Sequence, residues 1–231
     1  MRSIILIFVF YLLVSVSFAQ SVETTYYENS YLGKKTSERR ALYAKTVTKG
    51  SEGETTIEIV RLKNKETISR ESYRDKEPIG KWLYTNLYGS SEALDYDFKL
   101  DYSDNLCQAD TATYLDFKRI NSYSFSDNDS AGYIAPKLAT GEKNLSIFVS
   151  KRIVYPRDAL ADETEGTVQV QLIIDQNGKV EAIAIKKGVD VRLDKEAMRI
   201  VRAMKFLNGA TIKGIKKKLC TILPIKFLIG D

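Results

Sequence analysis

Histidine is absent from all 231 residues, which removes the commonest general base and the commonest metal ligand from any mechanism. The groups left to do chemistry are carboxylates, serines and two cysteines. Asp95, Asp97, Asp101 and Asp104 form an acid cluster, and calcium binding is the chemistry to weigh for it. Asp95 and Asp97 share one strand face, however, with no Gly-centred loop and no closing Glu. The cluster therefore reads as a solvated face. Ser126-Asp127-Asn128 matches one element of a serine-acylation motif set, but no Ser-x-x-Lys accompanies it and no Lys-Thr-Gly follows. Gly-x-Ser-x-Gly, Walker and dinucleotide patterns are missing too. The expectation is a protein that is not an enzyme and takes no metal or cofactor.

Cys107 and Cys220 lie one in each half of the chain and give no framework signal. Two separate buried thiols are expected, with an intramolecular disulfide as the alternative. Arg2 followed by the uncharged run 4–18 and the small-residue exit Ser17-Phe18-Ala19 has the form of a secretory signal peptide, residues 1–19. Fifteen apolar residues fall short of the ~20 that cross a bilayer. Cleavage after Ala19 would place the protein in the periplasm or cell envelope; an uncleaved leader would anchor it in the inner membrane. Charge is divided unevenly. Residues 20–150 carry 18 basic and 20 acidic residues, whereas 151–231 carry 16 basic and 10 acidic. A basic module can meet nucleic acid, anionic surfaces or acidic protein. Export argues against nucleic acid.

The elements that would position any binding group fall into two units joined by a linker. Residues 20–120 read as a β-rich domain. Segments 41–49, 54–62, 66–73, 80–88 and 92–100 are rich in β-branched and aromatic residues and are separated by polar or Gly-bearing breaks. Tyrosines and Trp82 on one face would bury a thin apolar layer while the other face stays wet. Residues 73–98, with Gly80-Lys81-Trp82 opening a strand and Gly89 closing it, resemble the MORN-type repeats of bacterial antitoxin-like sheets. Residues 121–143 lose the alternation and gain Ser, Asn, Asp and Gly, the composition of a linker.

Residues 144–231 are patterned throughout. Two short helices are expected at 145–153 and 156–163, with Pro156 suited to a first helical turn. Val168, Val170, Leu172 and Ile174 alternate ahead of Asn177-Gly178, so 165–185 reads as a hairpin with Ile183 and Ile185 on the same face. Leu193, Ala197, Ile200, Val201 and Met204 form one apolar stripe on a helix over 192–204. In that helix Asp194 and Glu196 lie early and Arg199 and Arg202 late, as the dipole favours. Leu219, Leu223, Ile225, Phe227 and Ile229 share one parity in a terminal strand over 217–229. The fold class is thus α+β, with a hairpin, a helix and a terminal strand forming a three-stranded antiparallel sheet. The run Lys213 to Lys218 (KGIKKK) reads as a solvated edge whose lysines deter aggregation. Its alternative is an electrostatic guide toward anionic lipid, wall polymer or an acidic transporter.

Five motifs in register carry a resemblance. Tyr155-Pro156, Glu165-Gly166-Thr167-Val168, Asn177-Gly178-Lys179-Val180, Leu193-Asp194-Lys195-Glu196-Ala197 and Leu223-Pro224-Ile225-Lys226-Phe227 resemble the TonB C-terminal domain over residues 144–229. The resemblance implies a protein-binding module that meets an outer-membrane transporter, whose TonB-box peptide adds as a strand beside the domain's last strand. The partner-binding residues expected on that strand are Leu219, Thr221, Leu223, Pro224, Ile225, Lys226 and Phe227. Thr221 and Lys226 are placed nearer the surface, and Pro224, which lacks a backbone donor, marks an edge. Two features depart from the family pattern. The chain has four prolines in all and a β-rich domain where a Pro-rich spacer is usual, and Asn208 stands where the family has Pro. A secreted envelope scaffold or wall-binding protein without energy coupling is the alternative function. A membrane is a partner only if the leader is uncleaved.

Overall fold

The structure, a computed structural model, describes residues 21–29, 32–85, 91–103, 106, 113–114, 132–142 and 145–230. The leader, Gly89 and the 126–128 motif lie outside these residues. The N-terminal half forms one antiparallel meander: β1 (Ser21–Tyr27), β2 (Tyr43–Lys49), β3 (Glu54–Arg61), β4 (Glu66–Arg74), β5 (Glu77–Pro78), β6 (Lys81–Thr85) and β7 (Ser91–Asp95). The sheet order is β1-β2-β3-β4-β6-β7, with β5 also paired to β4. Strands occur in all five expected segments, the last ending at Asp95 rather than at residue 100. β1 is an addition that its Val, Thr and Tyr content accounts for. One face buries Ile57, Tyr73, Trp82, Leu94 and Tyr96. Trp82 packs between Tyr73 (5.0 Å) and Tyr96 (4.3 Å). The opposite face carries cross-strand ion pairs such as Arg70–Glu58 at 2.5 Å, both partly exposed.

Two short strands follow, β8 (Thr113–Tyr114) and β9 (Tyr133–Ile134), before helices α1 (Leu145–Ser150) and α2 (Arg157–Ala161). Next come β10 (Gly166–Ile174), β11 (Val180–Lys187), α3 (Val191–Arg202), β12 (Ala210–Ile212), β13 (Ile215–Lys217) and β14 (Leu219–Phe227). β10 is central, paired antiparallel to β11 on one side and to all nine residues of β14 on the other. The stripe Leu193, Ala197, Ile200, Val201 and Met204 covers this sheet and meets Val168, Val170, Leu172, Leu223, Ile225 and Phe227 in one core.

The structure differs from the sequence reading in four places. The sheet has a fourth strand, because β8 runs parallel to the start of β14 at Leu219 and Cys220. The described part of the expected linker, residues 132–142, is not a tether. It carries β9 and buries Tyr133, Ala135 and Leu138 in the C-terminal core. The β10–β11 connection is not a two-residue turn at Asn177-Gly178. Asp175 Oδ1 accepts from the N–H groups of Asn177 and Lys179, both at 2.8 Å, and only Gly178 takes a positive φ. Finally, Cys220 is disulfide-bonded. The sequence holds one other cysteine, Cys107, which lies outside the described residues.

Candidate functional site: the β14 edge and the interface behind it

The odd-numbered residues of β14 hold the strand. Leu219, Thr221, Leu223, Ile225 and Phe227 are all buried, and Phe227 meets Tyr155 edge-on at 5.7 Å. Thr221 therefore corrects the expectation of a surface position. It shares the parity of Leu219 and Leu223, so it faces the core. Its hydroxyl is buried with no hydrogen-bond partner, an arrangement that costs free energy and so holds this residue to its place only through its neighbours. On the other face Ile222 and Pro224 are half-buried and Lys226 is exposed, as expected for Lys226.

Backbone direction along the sheet follows from one pair of bonds. The Ile185 N–H donates to Asp101 O at 2.7 Å, and Ser103 N–H donates to Ile185 O at 3.0 Å. Both groups of Ile185 thus point away from β10, so its partner Val170 turns its own groups toward Leu223 of β14. By alternation, Ile222 and Pro224 direct their main-chain groups to the outer edge of β14. Pro224 opposite Gln169 therefore costs the β10–β14 ladder no bond, which is why an uninterrupted nine-residue register tolerates it. The outer edge presents an N–H and a C=O at Ile222 but only a C=O at Pro224. Among the described residues, β8 pairs with this edge at Leu219 and Cys220 and no strand pairs with it beyond. The opposite edge of the sheet, along β11, is occupied by Asp101–Ser103.

Behind this sheet lies a feature that the sequence reading missed. The charged face of α3 is buried against the N-terminal meander. Glu196 is fully buried and its two oxygens accept four bonds: Tyr96 Oη at 2.6 Å, Val154 N at 2.7 Å, and Arg199 Nε and Nη2 at 2.6 and 2.7 Å. Lys195, also buried, donates to the carbonyls of Tyr96 and Phe98 and pairs with Glu77 at 2.8 Å. A cleft of about 770 Å³ opens beside Lys195, lined in part by Glu77, Tyr96 and Phe98. The lysine's three protons already have these protein partners. Tyr102 Oη donates to Asp194 at 2.8 Å, and Glu71 accepts from Tyr73 at 2.6 Å while pairing with Arg157 at 3.1 Å. Burial pushes the carboxyls of Glu71 and Asp194 above the usual range, the first against the pull of Arg157 and the second against the Val189 N–H. Burial and the adjacent Glu196 carboxylate hold the Tyr96 hydroxyl protonated far above its ordinary range.

The acids weighed for calcium have local work instead. Asp95 Oδ1 accepts from the Asp97 N–H at 2.9 Å, and Asp97 Oδ1 accepts from the Gly80 N–H at 2.8 Å. Gly80 itself has φ +69, the turn conformation from which β6 starts at Lys81. Asp104 lies outside the described residues. Among those described, no group of three or more acids and cysteines is placed to hold a metal.

Residues 151–229 match the model of the Gram-negative bacterial TonB protein C-terminal. The chain carries a TonB C-terminal domain. That match spans about a third of the chain and includes α2, α3, β10–β14 and every residue proposed for partner binding. The TonB C-terminal family is one of non-catalytic protein-interaction domains of the cell envelope. No curated protein and no solved structure matches the chain. No helix among the described residues is long and apolar enough to cross a membrane.

Proposed function

We propose that this protein works in the periplasm, after cleavage of residues 1–19, by accepting an extended peptide of an outer-membrane transporter along the outer edge of β14. The observation that carries the reading is the state of that edge. It belongs to the matched TonB C-terminal domain, its side chains are fixed by the core, and no described strand pairs with it beyond Cys220. Main-chain bonds supply the affinity and are worth about 0.5–1.5 kcal/mol each. A handful of them, less the cost of ordering the peptide, corresponds to roughly micromolar binding. Ile222 and Pro224 set the register, because an added strand finds a donor and an acceptor at the first and an acceptor alone at the second. Leu219, Thr221, Leu223, Ile225 and Phe227 act by holding the strand in place, and Lys226 faces the incoming chain's side chains. Energised transport across the outer membrane is the role that the family carries, and we extend it to this chain.

Titration of a TonB-box-like peptide into isotopically labelled protein lacking residues 1–19 tests the site. Amide shifts concentrated at 221–227, with a dissociation constant near the micromolar range, support it. Shifts confined to Val180–Lys187, or none at millimolar peptide, reject it. N-terminal sequencing of the fractionated protein tests location: Gln20 in the soluble periplasm is expected. An intact Met1 in washed inner membranes would refute cleavage.

A further inference from the structure

A second surface of the same domain has a different chemistry. The segment 133–139 runs antiparallel to 205–212. It is held by the Leu138–Phe206 bridge, by Ala139 N–H to Lys205 O and Leu207 N–H to Lys137 O (both 2.8 Å), and by Tyr133 and Ile134 against Ile212 and Thr211. β13 extends this ribbon through a two-residue turn in which Lys213 and Gly214 have φ +49 and +77, the values of a type I′ hairpin. Burial alternates along it: Tyr133, Ala135, Leu138 and Phe206 are inside, whereas Ile134, Lys205 and Leu207 are outside. Two of the ten large hydrophobic side chains exposed among the described residues stand on this outward face, Ile134 and Leu207 at 67%; Ile215, also exposed, pairs through Ile212 with Tyr133 and so belongs to the opposite face. Lysines 205, 213 and 216 are exposed around them. The charge is of one sign, since no Asp or Glu occurs anywhere in 197–230.

We infer that this ribbon is a docking surface for an anionic phospholipid bilayer. Apolar side chains standing clear of the fold and flanked only by lysines suit the boundary between headgroups and acyl chains, where Ile134 and Leu207 lose contact with water and the ammonium groups meet phosphates. An acidic protein patch would satisfy the lysines but would leave the exposed Ile134 and Leu207 without a matching environment. The inference is independent of peptide binding at β14, which uses a different edge.

Co-sedimentation of the purified full chain with vesicles tests it, using equal parts phosphatidylglycerol and phosphatidylethanolamine against phosphatidylcholine alone. Variants are compared with a parent bearing the same N-terminus, so that any apolar leader contributes equally. Retention is expected on the anionic vesicles alone and should be lost at about 0.5 M salt, where the screening length is only a few ångströms. Lys213→Asn with Lys216→Gln keeps a residue suited to the turn and should lower the apparent affinity about 25-fold, roughly fivefold per lysine. Leu207→Ser should lower it about fivefold at constant charge. Should the double variant not fold, Lys205→Gln with Leu207→Ser on the neighbouring strand makes the same test. Equal retention on both vesicle types, insensitivity to these substitutions, or capture by polyglutamate with none by vesicles would each overturn the inference.

Discussion

On one side of α3, Leu193, Ala197, Ile200 and Val201 lie against the sheet of the TonB C-terminal domain. On the other, Lys195, Glu196 and Arg199 lie against the N-terminal meander. Both faces are largely buried, yet they discriminate between partners very differently. An apolar stripe accepts any surface of roughly the right shape and is sensitive mainly to volume. The charged face accepts only a surface that offers the Tyr96 hydroxyl to Glu196 and the Tyr96 and Phe98 carbonyls to Lys195. Such charges contribute little net stability when paired and are costly when a partner is lost. The meander is therefore specified as the partner of α3 more sharply than the sheet beneath the helix is.

Substitutions on the two faces should separate these behaviours. Glu196→Ala strands Arg199, Tyr96 and the Val154 N–H, and is expected to destabilise by about 3–5 kcal/mol in urea unfolding. A loss below about 1 kcal/mol would mean that this face is wet, as surface pairs are. Leu193→Ala on the apolar face should cost about 2–5 kcal/mol, mostly through the cavity left behind. Tyr96→Phe keeps the packing on Trp82 and removes one bond to a charged group, a loss of about 1.5–3 kcal/mol. Its effect should vanish in the Glu196→Ala background; an additive effect would show that the two do not interact.

The smallest effect is one of pH. Burial raises the folded-state pKa of Glu71, so the folded protein binds this proton more readily than the unfolded chain. Its contribution is fully present below the ordinary carboxylate value and is lost as pH rises from there through the raised one. The melting-temperature difference between Glu71→Gln and the parent should therefore move in favour of the variant across that window. A constant difference would assign Glu71 an unshifted titration.

The apolar side of this comparison was legible in the sequence and the charged side was not. Leu193 to Met204 repeat with the helical period, and β10, β11 and β14 alternate with period two, so their inward faces followed from spacing alone. Thr221 was misplaced at the surface on account of its hydroxyl, although its parity with Leu219 and Leu223 points inward. Glu196 and Arg199 read only as charges ordered along the helix dipole, because charge by itself does not say whether its partner is water or a distant Tyr96. The ribbon of β9, β12 and β13 escaped notice for another reason. Its strands are two or three residues long, too short for a period to show, and Tyr133 follows a stretch whose Ser, Asn and Asp content marks a loop.

The central position of β10 has a consequence for how the domain assembles. Its pairing with β11 closes a hairpin of neighbouring residues, but its pairing with β14 joins positions from Ile174↔Leu219 out to Gly166↔Phe227, roughly fifty residues apart. The hairpin and α3 can form from local contacts, while the rung that completes the sheet waits on the closure of a long loop. Until that loop closes, the stripe of α3 has only half its floor, and the second edge of β10 stands open to any strand nearby. Closing that loop is thus the step that creates the β14 edge, so the edge exists only in chains that have passed it.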